Sequence, residues 1–65
     1  MDKTLLENKI TEYWHLAKAI VWSRYDRLQQ VKTWLLINDS ELVSHLTHKQ
    51  LYLLIDETTA PTKPI

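Results

Sequence analysis

The sequence predicts an all-α protein that forms one small domain. Its 65 residues include no glycine, the residue that supplies the positive φ angles of hairpin turns and bulges in β-rich domains. Both prolines lie within the last five residues, so nothing before position 61 breaks a helix outright. Apolar residues recur with the helical period along most of the chain. These observations predict a helical domain over residues 1–57, with one long N-terminal helix followed by two short helices.

The long helix is predicted to span residues 4–37. Thr4 and Glu7 have the spacing of a capping box at its start, and residues 38–40 (Asn-Asp-Ser) stop it, because their side chains compete for backbone hydrogen bonds. The apolar positions between them share one face about 100° wide without a phase slip, which favours one continuous helix over two. This apolar stripe consists of Leu6, Ile10, Tyr13, Ala17, Ile20, Val21, Leu28, Val31 and Leu35.

The C-terminal part carries a second capping box, which begins at Thr47. If the helical phase of Leu42 and Leu46 continued through this point, Leu51 would fall on the far side. We therefore place a helix break at Thr47, with a single bent helix as the alternative. The predicted elements are two short helices and a flexible tail, at residues 40–46, 48–57 and 58–65.

The length of the predicted first helix indicates a homodimer. A 34-residue helix is about 50 Å long, whereas a compact 65-residue domain is only about 28 Å across. The short helices cannot cover such a stripe, so we expect a dimeric, coiled-coil-like bundle whose interface comprises the nine stripe residues and Arg24. An antiparallel pairing places Arg24 opposite Ala17, where its long side chain has room to reach solvent. A monomer would instead require the long helix to fold back near Trp22.

Trp22 is the leading candidate for a partner-binding residue. Its helical angle places it on the polar face, away from the stripe, and exposed tryptophans often anchor interfaces. Lys18 lies one turn earlier, where it can stack on the indole. The competing interpretation is that the C-terminal helices cover Trp22. The predicted partner-binding set is Trp22, Lys18, Asp26 and Arg27.

Composition and charge argue against several classes of binding and location. Lys+Arg and Asp+Glu balance at eight each, which argues against binding to nucleic acid or membrane through bulk charge. No run of about 18 apolar residues is present, and the first ten residues lack the apolar core of a signal peptide. We therefore expect a cytoplasmic protein without a membrane span.

No catalytic, cofactor or metal site is predicted. The chain has no cysteine, which excludes disulfides and thiolate metal sites. His45 and His48 form an H-x-x-H pair, but the proposed break at Thr47 separates them and no further ligand completes a zinc set. Ser44 beside His45 is a neighbour in sequence without an orienting third group. The chain is therefore not expected to be an enzyme.

The leading functional hypothesis is a small regulatory protein, an adaptor or inhibitor, that works by protein–protein contact as a homodimer. The acidic C-terminal segment and the basic centre of the long helix are interpreted first as ordinary solvated faces; the alternative is that the segment docks on the basic centre, in the same chain or in a partner copy. The alternative hypothesis is a nucleic-acid-binding regulator, of the transcriptional, plasmid or phage type. Its binding residues would be Lys18, Arg24, Arg27 and Lys32.

Overall fold

Four helices make up the part of the chain that the structure, a computed structural model, describes, which is residues 3–18 and 23–61. They are α1 (Lys3–Ala17), α2 (Arg24–Asn38), α3 (Ser40–Val43) and α4 (His48–Thr59). α1 packs against both α2 and α4, while α2 also packs against α3 and α4. The all-α prediction is confirmed, since neither described range contains a strand.

The prediction of one continuous helix over residues 4–37 is wrong. α1 ends at Ala17, and Ser23 has an extended backbone (φ −63°, ψ 162°) and caps the start of α2. A continuous helix of that length would measure about 50 Å, whereas the longest dimension of the molecule is 31 Å. The helical phase of the apolar residues did not reveal this break, because phase records only the angle of a side chain about the helix axis. Two helices that fold against each other can keep the same angle while the axis reverses.

The core is built from the apolar faces of all four helices. Nine of the described residues are almost fully excluded from solvent, and six of them belong to the predicted stripe. Burial of this apolar surface is the main favourable term that drives the two long helices together. The core residues are Leu6, Ile10, Ala17, Leu28, Val31, Leu35, Val43, Leu51 and Ile55.

The residues assigned to a dimer interface therefore have a different role within the chain. The six buried stripe residues pack against one another and against α3 and α4. Tyr13 is half-buried beside this core, Arg24 is exposed, and Ile20 and Val21 lie outside the described residues. The dimer was inferred from a stripe too long for its own chain to cover, and that premise no longer holds. A homodimer stays a prediction that needs a different surface.

The break at Thr47 is confirmed. Thr47 has an extended backbone and forms a complete capping box: the Gln50 N–H donates to Thr47 Oγ1 at 3.0 Å, and the Thr47 N–H donates to Gln50 Oε1 at 2.9 Å. The helix before it is shorter than expected, ending at Val43 rather than residue 46. α4 is longer and includes Thr59, so part of the predicted tail is helical. Residues 62–65 of that tail lie outside the described residues.

One polar contact joins α1 to the corner between α2 and α3. The Tyr13 hydroxyl donates to Asp39 Oδ2 at 2.6 Å, and its ring packs against Trp34 at a centroid distance of 5.8 Å. The Asp39 N–H in turn donates to the Leu35 carbonyl and caps the end of α2. The hydrogen bond to Asp39, followed by burial and by the negative charge of Asp39, raises the pKa of Tyr13 to about 12.

Replacing Tyr13 with Phe is expected to lower the free energy of unfolding by about 1 kcal/mol at neutral pH, because it removes one hydrogen bond. An unfolded tyrosine titrates near pH 10, below the folded value. The stabilisation is therefore fully present below about pH 10 and is lost as the pH rises through about 12. Urea unfolding across this range should show the difference between wild type and Tyr13→Phe shrinking. Tyr25→Phe, at an exposed ring, is the control, and a difference independent of pH would contradict the assignment.

Ala17→Trp tests whether Ala17 faces the core of its own chain. Ala17 is completely buried between packed helices, so a large ring there should overpack the core at a cost of about 1–3 kcal/mol. Because the contact is intramolecular, the loss in melting temperature should be the same at all protein concentrations. A loss in melting temperature that depends on protein concentration would instead indicate that Ala17 lies at an interface between chains.

Candidate partner-binding site

The predicted partner-binding residues do not form one site within the described structure. Trp22 lies outside the described residues, and Lys18 is exposed just beyond the end of α1. Asp26 is in the first turn of α2, where its N–H and carboxylate both hydrogen-bond the Ser23 hydroxyl. Arg27 turns toward α1 instead of solvent. The role of Trp22 as a partner anchor stays a prediction, and Asp26 and Arg27 have structural contacts of their own.

Arg27 packs on Trp14 near the end of α1. Its Nε and Nη2 groups donate to the Trp14 carbonyl at 3.2 and 2.7 Å, and its guanidinium lies 3.6 Å from the centroid of the indole ring. Burial, and secondarily the positive charge of Arg24, lowers the pKa of Arg27. A guanidinium suits this position because its planar fork can bond a carbonyl and stack on an aromatic ring together.

Arg24 joins the start of α2 to the end of α4. Its Nη2 donates to Asp56 Oδ1 at 2.8 Å and to the Asp56 carbonyl at 3.1 Å, with a weaker contact to Thr59 Oγ1. The guanidinium also lies 5.2 Å from the Trp14 ring centroid. This is an acidic C-terminal residue docked on the basic centre, within one chain. We call the whole group the arginine clasp: Trp14, Arg24, Arg27, Asp56 and Thr59.

The four basic residues proposed for nucleic-acid binding lie in different parts of the structure. Arg24 is paired with Asp56, and Arg27 is turned onto the carbonyl and ring of Trp14. Lys32 lies on a different face of α2, in a surface groove shared with α4. Lys18 lies beyond the end of α1. The four therefore do not make a single basic patch.

The other end of α1 forms an apolar groove that the sequence did not reveal. It has a volume of about 410 Å³, within the usual range of binding pockets. Leu6 lies at its base, fully buried, while the two other leucines are half-buried and the two basic residues are exposed. We call it the terminal groove, lined by Lys3, Leu6, His45, Leu46 and Leu54.

The electrostatics of the terminal groove are one-sided. Lys3 and His45 are its only polar side chains, and neither forms an ion pair with another described residue. Its lining contains no carboxylate. The groove therefore combines an aliphatic base with basic groups at its edge, a combination that suits an apolar segment carrying acidic residues.

His45 and His48 serve different surfaces. The extended backbone of Thr47 separates them, and His48 begins α4 on the side that faces α2. Across residues 3–18 and 23–61, no group of three or more potential metal-ligating side chains lies close together. His45 instead contributes to the edge of the terminal groove.

Sequence reasoning missed the groove because its lining comes from three separate segments. Leu6 was assigned to the stripe, and Leu46 and Leu54 to the apolar faces of short helices. Their juxtaposition follows from α1 folding beside α4, which the helical pattern does not encode. No local pattern marks the groove, because Leu6 belongs equally to the core.

Comparisons with known protein families, with curated proteins and with solved structures found no match to this chain. Among the described helices, none is both long enough and apolar enough to cross a membrane.

A pair of matched substitutions separates the two arginines of the clasp. Arg27→Lys keeps the charge but loses the paired donors and the planar stacking, so it should lower the free energy of unfolding by about 1–2 kcal/mol. Arg24→Lys retains an ion pair with Asp56 at an exposed position, and exposed pairs contribute little. Its effect should stay below about 0.5 kcal/mol. Urea unfolding measures both losses in the free energy of unfolding. Equal losses would show that the contact between Arg27 and Trp14 contributes no more to stability than the exposed pair of Arg24 and Asp56.

Proposed function

We propose that this chain is a small interaction protein, an adaptor or inhibitor rather than an enzyme, that binds an acidic, apolar segment of another protein. The observation that supports this is the terminal groove, whose aliphatic base lies beside two basic side chains without ion-pair partners among the described residues. The cytoplasmic location expected from the sequence belongs to the same proposal.

The shape and lining of the groove favour an amphipathic helix as the bound segment. Helices bind apolar grooves through side chains at positions i, i+3 or i+4, and i+7, and they leave their polar face outside. Leu46 and Leu54 supply two sides of such a groove, with Leu6 at its base. Carboxylates beside the inserted side chains would face the Lys3 ammonium and could accept a hydrogen bond from the His45 imidazole. Such polar contacts at an edge guide association and partner choice more than they add affinity.

A second copy of the same chain is the competing occupant. Leu53 is 52% exposed on the outer face of α4, and Glu57 lies one turn further along the same face. This pair has the apolar-plus-acidic character that the groove requires. The homodimer expected from the sequence would then form through the groove rather than through the stripe. Sedimentation at micromolar concentration distinguishes the two occupants. A wild-type dimer that becomes a monomer in the Leu54→Lys variant indicates self-association through the groove. A wild-type monomer indicates that the groove is free to bind another protein.

The direct test uses a synthetic helical peptide with leucines at i, i+3 and i+7 flanked by glutamates. Titration into isotopically labelled protein should shift the backbone amide signals of Leu6, Leu46 and Leu54, and saturate. Leu54→Lys should weaken binding at least about tenfold, because it places a charge in the apolar lining. Leu53→Lys is the matched control on the outer face of the same helix and should leave binding unchanged.

A charge reversal keeps the test informative if Leu54→Lys is poorly folded. His45 is exposed, so His45→Glu should leave the melting temperature within a few degrees of wild type. It should weaken binding of the glutamate peptide and strengthen binding of the same peptide with lysines in place of glutamates. Equal binding of both peptides to wild type would contradict the proposed acidic partner, and unaltered binding by Leu54→Lys would remove the groove as the site.

A further inference from the structure

A second surface groove lies between α2 and α4, on a different side of the molecule from the terminal groove. It has a volume of about 350 Å³ and is open to solvent. Its lining is aromatic, basic and amide-bearing, and contains no aliphatic residue. We call it the tyrosine face: Tyr25, Gln29, Lys32, His48, Lys49 and Tyr52.

The lining residues form two adjacent rows. On α2, Tyr25, Gln29 and Lys32 occupy positions i, i+4 and i+7, which share one face of a helix. On α4, His48 and Tyr52 lie one turn apart. At 1.5 Å per residue the α2 row is about 10 Å long. A row of this length can contact only a short stretch of a nucleic-acid strand.

Two tyrosine rings provide the stacking surface. Their centroids are 6.2 Å apart and the rings are tilted by 49°, so they do not cover each other face to face. Tyr25 is 61% exposed, an unusual state for a large aromatic ring at a junction between helices. Its free surface is available to a planar ring from a ligand.

The charges on this face are positive and unpaired. Neither Lys32 nor Lys49 forms an ion pair with another described residue, and no lining residue is acidic. Of the acidic residues near the tyrosines, Asp56 lies one turn from Tyr52 and is paired with Arg24, so the arginine clasp offsets its negative charge. Asp26, next to Tyr25 in sequence, accepts a hydrogen bond from the Ser23 hydroxyl and keeps its charge.

We propose that the tyrosine face binds single-stranded nucleic acid, with bases stacked on Tyr25 and Tyr52 and phosphates beside Lys32 and Lys49. Aromatic rings interleaved with basic side chains are the usual means of binding single strands without sequence preference. An acidic peptide fits the charges but not the rings, because the face has no aliphatic surface to bury its side chains. This inference is independent of the protein partner proposed for the terminal groove.

The expected binding is weak and depends on salt. The chain has no net charge, so affinity must come from this face rather than from the whole surface. For single strands the logarithm of the binding constant falls by about 0.7 per neutralised phosphate for each tenfold rise in salt. With two phosphates at two lysines the slope is about −1.4, which is about a sevenfold loss of affinity between 50 and 200 mM salt.

Fluorescence anisotropy with a labelled oligothymidine of ten nucleotides tests the proposal on the full chain. Tyr25→Ala should weaken binding at least about fivefold, while Tyr25→Phe, which keeps the ring, should restore it. Lys32→Gln with Lys49→Gln should weaken binding and flatten the salt slope. Lys3→Gln removes one lysine charge at the terminal groove and is the control that should change neither the affinity for the oligonucleotide nor the salt slope.

Three results would overturn the proposal. The first is no anisotropy change at 50 mM salt with protein up to millimolar concentration. The second is binding by Tyr25→Ala that equals wild-type binding. The third is a loss of affinity in Lys3→Gln as large as that of the double lysine variant. Effective competition by a ten-residue glutamate peptide would reassign the face to an acidic protein partner. If thermal melts show that Tyr25→Ala is unfolded, the double lysine variant with its Lys3→Gln control decides, since all three lysines lie at the surface.

Discussion

The rest of the structure depends on the packing of α1 against both α2 and α4. Ile10, Val31 and Ile55 come from these three helices and are completely excluded from solvent. A short chain can bury so much apolar surface only if its long helical region folds back on itself, because a single extended helix would leave one face in water. The fold-back creates both proposed binding surfaces, since each groove lies where two helices meet without filling the space between them.

Polar contacts near the C-terminal end of α1 position the helices relative to one another. Tyr13 and Asp39 hold α1 to the corner that follows α2, and the arginine clasp holds the next residue, Trp14, to α2, which Arg24 joins to α4. Individual hydrogen bonds contribute only about 1 kcal/mol each, so these contacts specify geometry while the core supplies most of the stability. The clasp also changes the surface charge. It engages two arginines and one aspartate, and leaves Lys32 and Lys49 as unpaired cations.

The two grooves have opposite chemical characters although they share α4. The terminal groove is aliphatic at its base, which suits inserted side chains of a protein. The tyrosine face presents rings and ammonium groups, which suit stacked bases and phosphates. Leu54 and Tyr52 belong to different sides of α4, so the two surfaces can be altered separately. The two proposed ligands would therefore not compete for one site.

Local sequence patterns predict the helical class, the capping box at Thr47 and the burial of Leu6, Ile10, Leu28 and the other described aliphatic stripe positions. These features are local, because a cap depends on residues three apart and a buried face on the helical period. The way the helices pack determines that the stripe closes on itself, that Arg24 meets Asp56, and that Lys32 and Lys49 share a face. Periodicity records the angle of each side chain about its helix but carries no information on where the axis turns. Contacts between residues distant in sequence follow from that turn.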